Sequence, residues 1–352
     1  MKRSIPHPKR LVALVLTGAA LAFIILQIAG RILLHEGLVT IFVRERMSSP
    51  TPTAPIPPNP KVLTAPDTTR PIAVMIDNHP DALPQSGIDR AAMVFEAPVE
   101  GSLTRIMAVF RKGDVAQIGP VRSARPYFED WAAGSDAVYA HFGGSDQALA
   151  DLHMGADGLD DLDGMTSGDT FWRDESREAP HNAYTSTGKM RALMAKKSWP
   201  LATKKIDANL YDSAEPTGTP VSSFGVINIM GGTETRWTWN NSVQAWRRAS
   251  GGIDTVTRDG KSVLPRTVVV VEVKKIAIAD PHGKGLIGLQ TLGTGKASVF
   301  RDGVQQTATW KKQTAKSQLE IFGTDGNKLP FAIGQVWYEI IASNAGGTIT
   351  TK

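Results

Sequence analysis

Twenty consecutive residues without a charge, Leu11 to Gly30 (LVALVLTGAALAFIILQIAG), follow a ten-residue start with four basic groups and no acid. As a helix that run spans about 30 Å, the thickness of a bilayer's hydrocarbon core. The basic cluster ahead of it predicts that the short N-terminus stays in the cytoplasm and the rest of the chain lies outside. The competing reading is a secretory signal cut after Ala20-Leu21-Ala22. That cut would leave FIILQIAG as a strongly apolar new N-terminus, so the expectation is an uncleaved anchor at about 11–30. Residues 1–47 then comprise a cytoplasmic stub, the anchor and an amphipathic stalk over Ile32–Val43. The next stretch, 48–71, holds eight prolines, which favours extended polyproline geometry and makes 48–70 a spacer.

The charge follows the same division. The chain carries 39 Lys+Arg against 34 Asp+Glu, a net +5, and residues 1–46 account for all of it with seven basic and two acidic groups. The body is therefore neutral and has no net electrostatic reason to follow a polyanion, which argues against a nucleic-acid partner. Within it, residues 67–200 are acidic (20 against 13) and residues 201–352 basic (12 against 18). Either two units face each other or two ordinary surfaces differ in composition. The absence of cysteine excludes disulfides, thiolate nucleophiles, Cys-ligated zinc and a lipid-attachment cysteine.

The remaining 280 or so residues suit about two domains. Short apolar runs (PIAVMIDN, AAMVFEA, RIMAVF, DAVYAHFGG) read as strands. They alternate with a helix over 125–133 and another begun by Ser145 as N-cap, the pattern of a mixed α/β domain over 71–205. From Phe224 onward short strands and turn signals take over, predicting a β-rich domain over 220–345. Hairpins turn there at Asn240-Asn241 and Asp302-Gly303, and RTVVVVEVKKIAI reads as a long buried strand. The expected fold class is thus α/β or α+β: an anchor helix, a mixed α/β domain and a β-rich domain.

Several long segments carry a family resemblance: RPIAVMIDNHPDALPQSGIDRAAMVFEAPVEGSLTRIMAVF, IGPVRSARPYF, HFGGS, RDESREAPHNAYTS, GTGKASVFRDGVQQTATWKK and GQVWYEI. Over roughly 70–342 the chain resembles the YerB-type lipoproteins, bacterial envelope proteins with an N-terminal and a C-terminal domain of unknown function. The resemblance implies display outside the cell membrane and brings no reaction with it. The chain departs from the lipoprotein pattern in lacking cysteine, so its anchor would be a protein helix.

Polar residues gather at strand ends and in loops of the first half. Asp77, Asn78, Arg105, Arg122, Ser123, Arg125, Ser145, Arg173, His181 and Asn182 are candidates for a ligand-binding cleft, because charged groups ending apolar strands need a partner or a wet hollow. The alternative is an internal network fixing the loops, for example Glu100 with Arg105 or Arg122. Arg122 and Arg125, near the start of the first helix, suit a carboxylate or phosphate, or else pair with Glu96 and Glu100. Glu96 and Glu100 flank Pro98 and invite a glycosidase reading with one acid and one base, and His141 joins them as a candidate acid/base group.

His141 and His181 with Asp77 could hold zinc or move protons, but neither motif has metal-ligand spacing and H-E-x-x-H is absent, so no metal or cofactor is expected. Ser186-Thr187-Gly188-Lys189 matches S-x-x-K without its companion motifs, so Ser186 is better read as an N-cap. Six aspartates between Asp151 and Asp169 lack calcium-loop spacing and suit a solvated acidic loop. Trp237 and Trp239 share one strand face, either as an exposed platform or in the core.

The expected function is binding of a polar or anionic cell-wall or peptide ligand by a membrane-anchored envelope protein, with envelope proteins as further partners. The alternatives are a glycan or peptide hydrolase using Glu96, Glu100 and His141, and a non-catalytic scaffold.

Overall fold

A computed structural model describes residues 67–203, 211–212 and 214–352. The expected anchor and stalk, and nearly all of the proline-rich spacer, lie outside these residues. Among the described residues no helix is long and apolar enough to cross a membrane.

The first half supplies β1 (Ile72–Asp77), β2 (Met93–Pro98), β3 (Thr104–Phe110), β4 (Val138–His141) and the short β5 (Asp161–Asp163). Helices α1 (Pro126–Gly134), α2 (Asp146–His153) and α3 (Thr187–Lys196) are interleaved with them. α1 starts where Pro126 presets the helical φ. The Ser145 and Ser186 hydroxyls accept the backbone N–H of Ala148 (3.4 Å) and Lys189 (3.2 Å), so both serines cap helices as expected.

The regular elements of the second half are almost all strands. It contributes β6 (Ser223–Ile227), β7 (Thr235–Asn240), β8 (Ala245–Ser250), β9 (Ile253–Asp254), β10 (Thr267–Val273), β11 (Gly293–Arg301), β12 (Val304–Lys312), β13 (Glu320–Gly323), β14 (Val336–Ala342) and β15 (Thr348–Thr351). The β11–β12 hairpin turns at Asp302 (φ 51°) and Gly303 (φ 74°), the double positive φ of a two-residue turn. The run after Arg266 is shorter than expected: β10 ends at Val273, and Lys275–Ile276 pair instead with Gly288–Leu289.

The two halves share one sheet. Its central order is β13-β12-β11-β10-β14-β2-β3-β1-β4-β5, and its seam is the parallel pairing of β2 with β14, from Met93↔Val336 to Glu96↔Glu339. The sequence division at 205–220 is therefore not a division of the sheet. One face packs against α1 and α2 through Tyr127, Phe128, Trp131 and Leu152. The other packs against α3 and a second sheet, β9-β8-β7-β6-β15, through Phe224, Trp237 and Trp246. Trp237 and Trp246 are fully buried, and their indole N–H groups donate to Glu339 Oε1 and the Phe300 carbonyl, both at 3.0 Å. The tryptophans of this hairpin thus build core, with Trp239 lying on Trp246 at its margin.

Candidate functional site

The carboxyl end of β1 is where polar groups collect. Up to Val74, β1 is flanked by β4, but at Ile76 its neighbour is Val121, because residues 118–122 replace β4 there. The Asp77 N–H bonds the Pro120 carbonyl and the Arg122 N–H bonds that of Met75. This change of neighbour brings the side chains of Asp77 and Arg122 to one point, the kind of place where open α/β sheets hold ligands.

Buried Asp77 organises the group. Its Oδ2 lies 2.8 Å from His181 Nδ1 and 3.0 Å from Arg122 Nε, and its Oδ1 accepts the His79 N–H at 3.0 Å. Facing the Asp77 carboxylate, which can only accept, His181 Nδ1 is the donor of this contact. The His181 ring stacks on that of His79 at 4.8 Å. The Arg122 side chain remains 26% exposed, and among the described residues its two terminal nitrogens have no partner. Two donors fixed in a plane at a wet surface are arranged for a carboxylate or phosphate.

Arg105, the register partner of Asp77 on β3, extends the cluster to a second patch. Its guanidinium donates to the Ser123 carbonyl (2.9 Å) and lies 3.7 Å from Glu100, which Arg125 also engages. Burial and the neighbouring Arg125 charge pull Arg105 down to about 10. Burial opposes ionisation of Glu100, but the hydrogen bond and charge of Arg125 outweigh it and hold the carboxyl below its ordinary range. Arg125 is thus committed to Glu100, whereas Arg122 keeps its end nitrogens outward.

The other expected site residues go elsewhere. Glu96, 1% exposed, points between the sheets, where Arg248 Nη2 reaches both its oxygens at 2.8 Å and Thr104 and Asn78 donate to Oε1. Glu100 lies among arginines on the other side, so the turn at Pro98 does not bring the two acids to one cleft. His141 is fully buried, with Nδ1 2.8 Å from the Gly143 carbonyl and Nε2 2.7 Å from Asp161. Glu96 and His141 are thus buried away from solvent, and Glu96 and Glu100 do not face one cleft, which corrects the expectation that Glu96, Glu100 and His141 share an acid/base site. Ser145 is spent as a helix cap, Ser123 Oγ donates to the Phe142 carbonyl (3.3 Å), and Asn78 Oδ1 accepts from Gln85 (2.7 Å). Arg173 donates to Asn182 Oδ1 (2.6 Å) and lies over Phe142, a loop-fixing pair.

Two features escaped the sequence reading. His79 and Asp81 join His181 in a group whose potential ligand atoms lie within 4.8 Å of one another. His79 Nδ1 already accepts the Asp81 N–H, and the Arg122 charge stands behind Asp77, so hydrogen bonding accounts for the group as it stands. The second feature is Glu339, which lies beside Glu96 across the seam and accepts from Asn228 (3.0 Å) and Trp237. Burial and the Glu96 charge push its carboxyl up to about 8 against the pull of Arg248.

Known proteins match this chain across both halves. Residues 59–200 match the N-terminal domain, and 226–338 the C-terminal domain, of a family described as "Protein of unknown function (DUF3048)". "Putative lipoprotein YerB" of Bacillus subtilis (strain 168) is 32% identical over 281 residues, 77% of this chain and 81% of that one. The crystal structure of the YerB protein from Bacillus subtilis superposes with a TM-score of 0.72 at 29% identity, covering 81% of this chain and 94% of that chain. The residues that end β1 thus sit in a fold shared by a solved relative, and the chain belongs to the YerB (DUF3048) family.

Proposed function

We propose that this protein is an extracytoplasmic envelope protein, held at the cell membrane by Leu11–Gly30 as a single span, that binds the anionic end of a cell-wall or peptide ligand where β1 ends. The lipoprotein name of its relative supports the location, and the basic residues ahead of the apolar run support the orientation. One observation carries the ligand class: Arg122 forms an ion pair through Nε with buried Asp77, at 3.0 Å, while its terminal nitrogens stay exposed beside His181. A carboxylate arriving there meets a preset guanidinium fork.

The test is a titration of the full chain, in detergent micelles, with a soluble muropeptide whose stem peptide ends in free carboxylates. Saturable binding that falls at least about tenfold in Arg122→Ala is the expected result, the scale of a lost charge-assisted hydrogen bond. Equal affinity in the variant would remove the proposal.

A second reading, hydrolysis, rests on the Asp77–His181 contact rather than on Glu96, Glu100 or His141. A carboxylate that fixes one imidazole nitrogen leaves the other as a general base. Turnover of the same muropeptide that survives His181→Asn ends that reading.

A further inference from the structure

On the helical face of the sheet a cavity of about 180 Å³ opens between α1, the turn after α2 and the strand pair Lys275–Ile276/Gly288–Leu289. Four carboxyl groups line it: Glu129, Asp130, Asp151 and Asp157. An acidic cluster alone says little, since such clusters are common on solvated surfaces. The second observation concerns Glu129. It is 3% exposed, it lines the cavity, and its Oε1 has no hydrogen-bond partner among the described residues. A buried acceptor left without a donor is costly, and a guest carrying N–H groups and positive charge is what would satisfy it.

The nature of the guest follows from spacing and from the walls. Among the described residues, the group of three or more side chains placed to share a metal ion is His79, Asp81 and His181, and none of these four carboxylates belongs to it. A small divalent ion needs several oxygens at about 2.3–2.6 Å at once and finds no such set here. The walls are also partly apolar, with Ile276, Ile278 and Leu289 facing the acids. Acid at one side and aliphatic surface at the other match an ammonium group on a short hydrocarbon stem, which has three donors and a body for the apolar wall.

We infer that this cavity is a binding site for a primary alkylammonium group, presented either by a free amine or by an amino-bearing side chain of a peptide, with Glu129 as its buried partner. Asp130 is less available, because Thr291 donates to it and Lys312 acts on it. Glu129 and Asp157 therefore carry the recognition. Burial and the surrounding aspartates push Glu129 up to about 9, and a cation held beside it would draw it back toward the carboxylate, with the proton released to solvent. The inference uses none of the residues at the end of β1 and stands or falls separately from the function proposed above.

The test is calorimetric titration of the full chain with n-butylammonium chloride, with n-butanol as the uncharged homologue and calcium chloride as the inorganic cation. A lysine-containing tripeptide separates a peptide source from a free amine. The expected result is saturable one-to-one binding of the amine or the tripeptide, no comparable uptake of butanol or calcium, and at least about a tenfold loss in Glu129→Gln. Asp157→Asn is the second variant; its residue sits at φ 57°, a conformation asparagine adopts readily, so the turn is kept while the charge goes. Affinity unchanged in both variants, calcium binding in preference to the amine, or no saturable uptake of either amine probe would overturn the assignment.

Discussion

Replacing Arg248 by Met probes the charge that joins the two sheets. Arg248 is 2% exposed; it reaches both oxygens of Glu96, donates to Thr255 Oγ1 at 2.8 Å and lies over the Trp337 ring at 5.2 Å. Methionine fills much of the same space but leaves Glu96 and Glu339 as two buried carboxyl groups with no cation in contact. Removing one partner of a buried pair costs roughly 3–5 kcal/mol, because the other charge stays behind without compensation. Urea unfolding followed by tryptophan fluorescence measures the loss, with Trp237 and Trp337 beside the pair as reporters. Adding Glu96→Gln in the same chain should restore at least about 1.5 kcal/mol, since the stranded charge is then gone. A loss below about 1 kcal/mol, or no recovery in the double variant, would mean that Arg248 does not compensate a buried Glu96 charge.

Glu339 gives the same region a pH signature. An unfolded carboxyl titrates near 4.5 and the folded one near 8, so the contribution of Glu339 to stability is fully present below the first value and is lost as pH rises to the second. At about 1.4 kcal/mol per pH unit the decline is at most about 5 kcal/mol, and urea midpoints between pH 4.5 and 8 should show it flattened in Glu339→Gln. His141→Ala should lower stability by roughly 2–4 kcal/mol in thermal unfolding, through loss of two buried hydrogen bonds and of packing, while muropeptide affinity stays unchanged. Gly303→Ala should cost about 1–2 kcal/mol in the same assay. Gly303 holds φ 74°, and a Cβ there would meet Trp239 at 3.0 Å.

What could be read from the sequence was local. Helix caps at Ser145 and Ser186 and the Asp302-Gly303 turn depend on neighbours a few residues apart, and all are found. The seam between β2 and β14 joins Met93 to Val336, and no short-range pattern reports such a pairing. Glu96 falls in the strand run AAMVFEA as expected, but its side chain was expected in a cleft, because its buried partner Arg248 lies about 150 residues further along the chain. A signal did exist, because Glu96 in MVFEAP and Glu339 in VWYEIIA both interrupt apolar strands, and a buried acid requires a partner. At the site, Asp77, Arg122 and His181 were recognised as polar groups ending apolar runs, and the switch of β1's neighbour brings them together. His79 and Asp81 were missed although they follow β1 directly, since their role depends on His181, about a hundred residues further along the chain.

The end of β1 is most directly examined by a crystal structure of the protein soaked with the muropeptide. A ligand carboxylate is expected within about 3 Å of the Arg122 terminal nitrogens, with His181 still bonded to Asp77. Ligand density at another surface, with the Arg122 guanidinium left facing solvent, would contradict it.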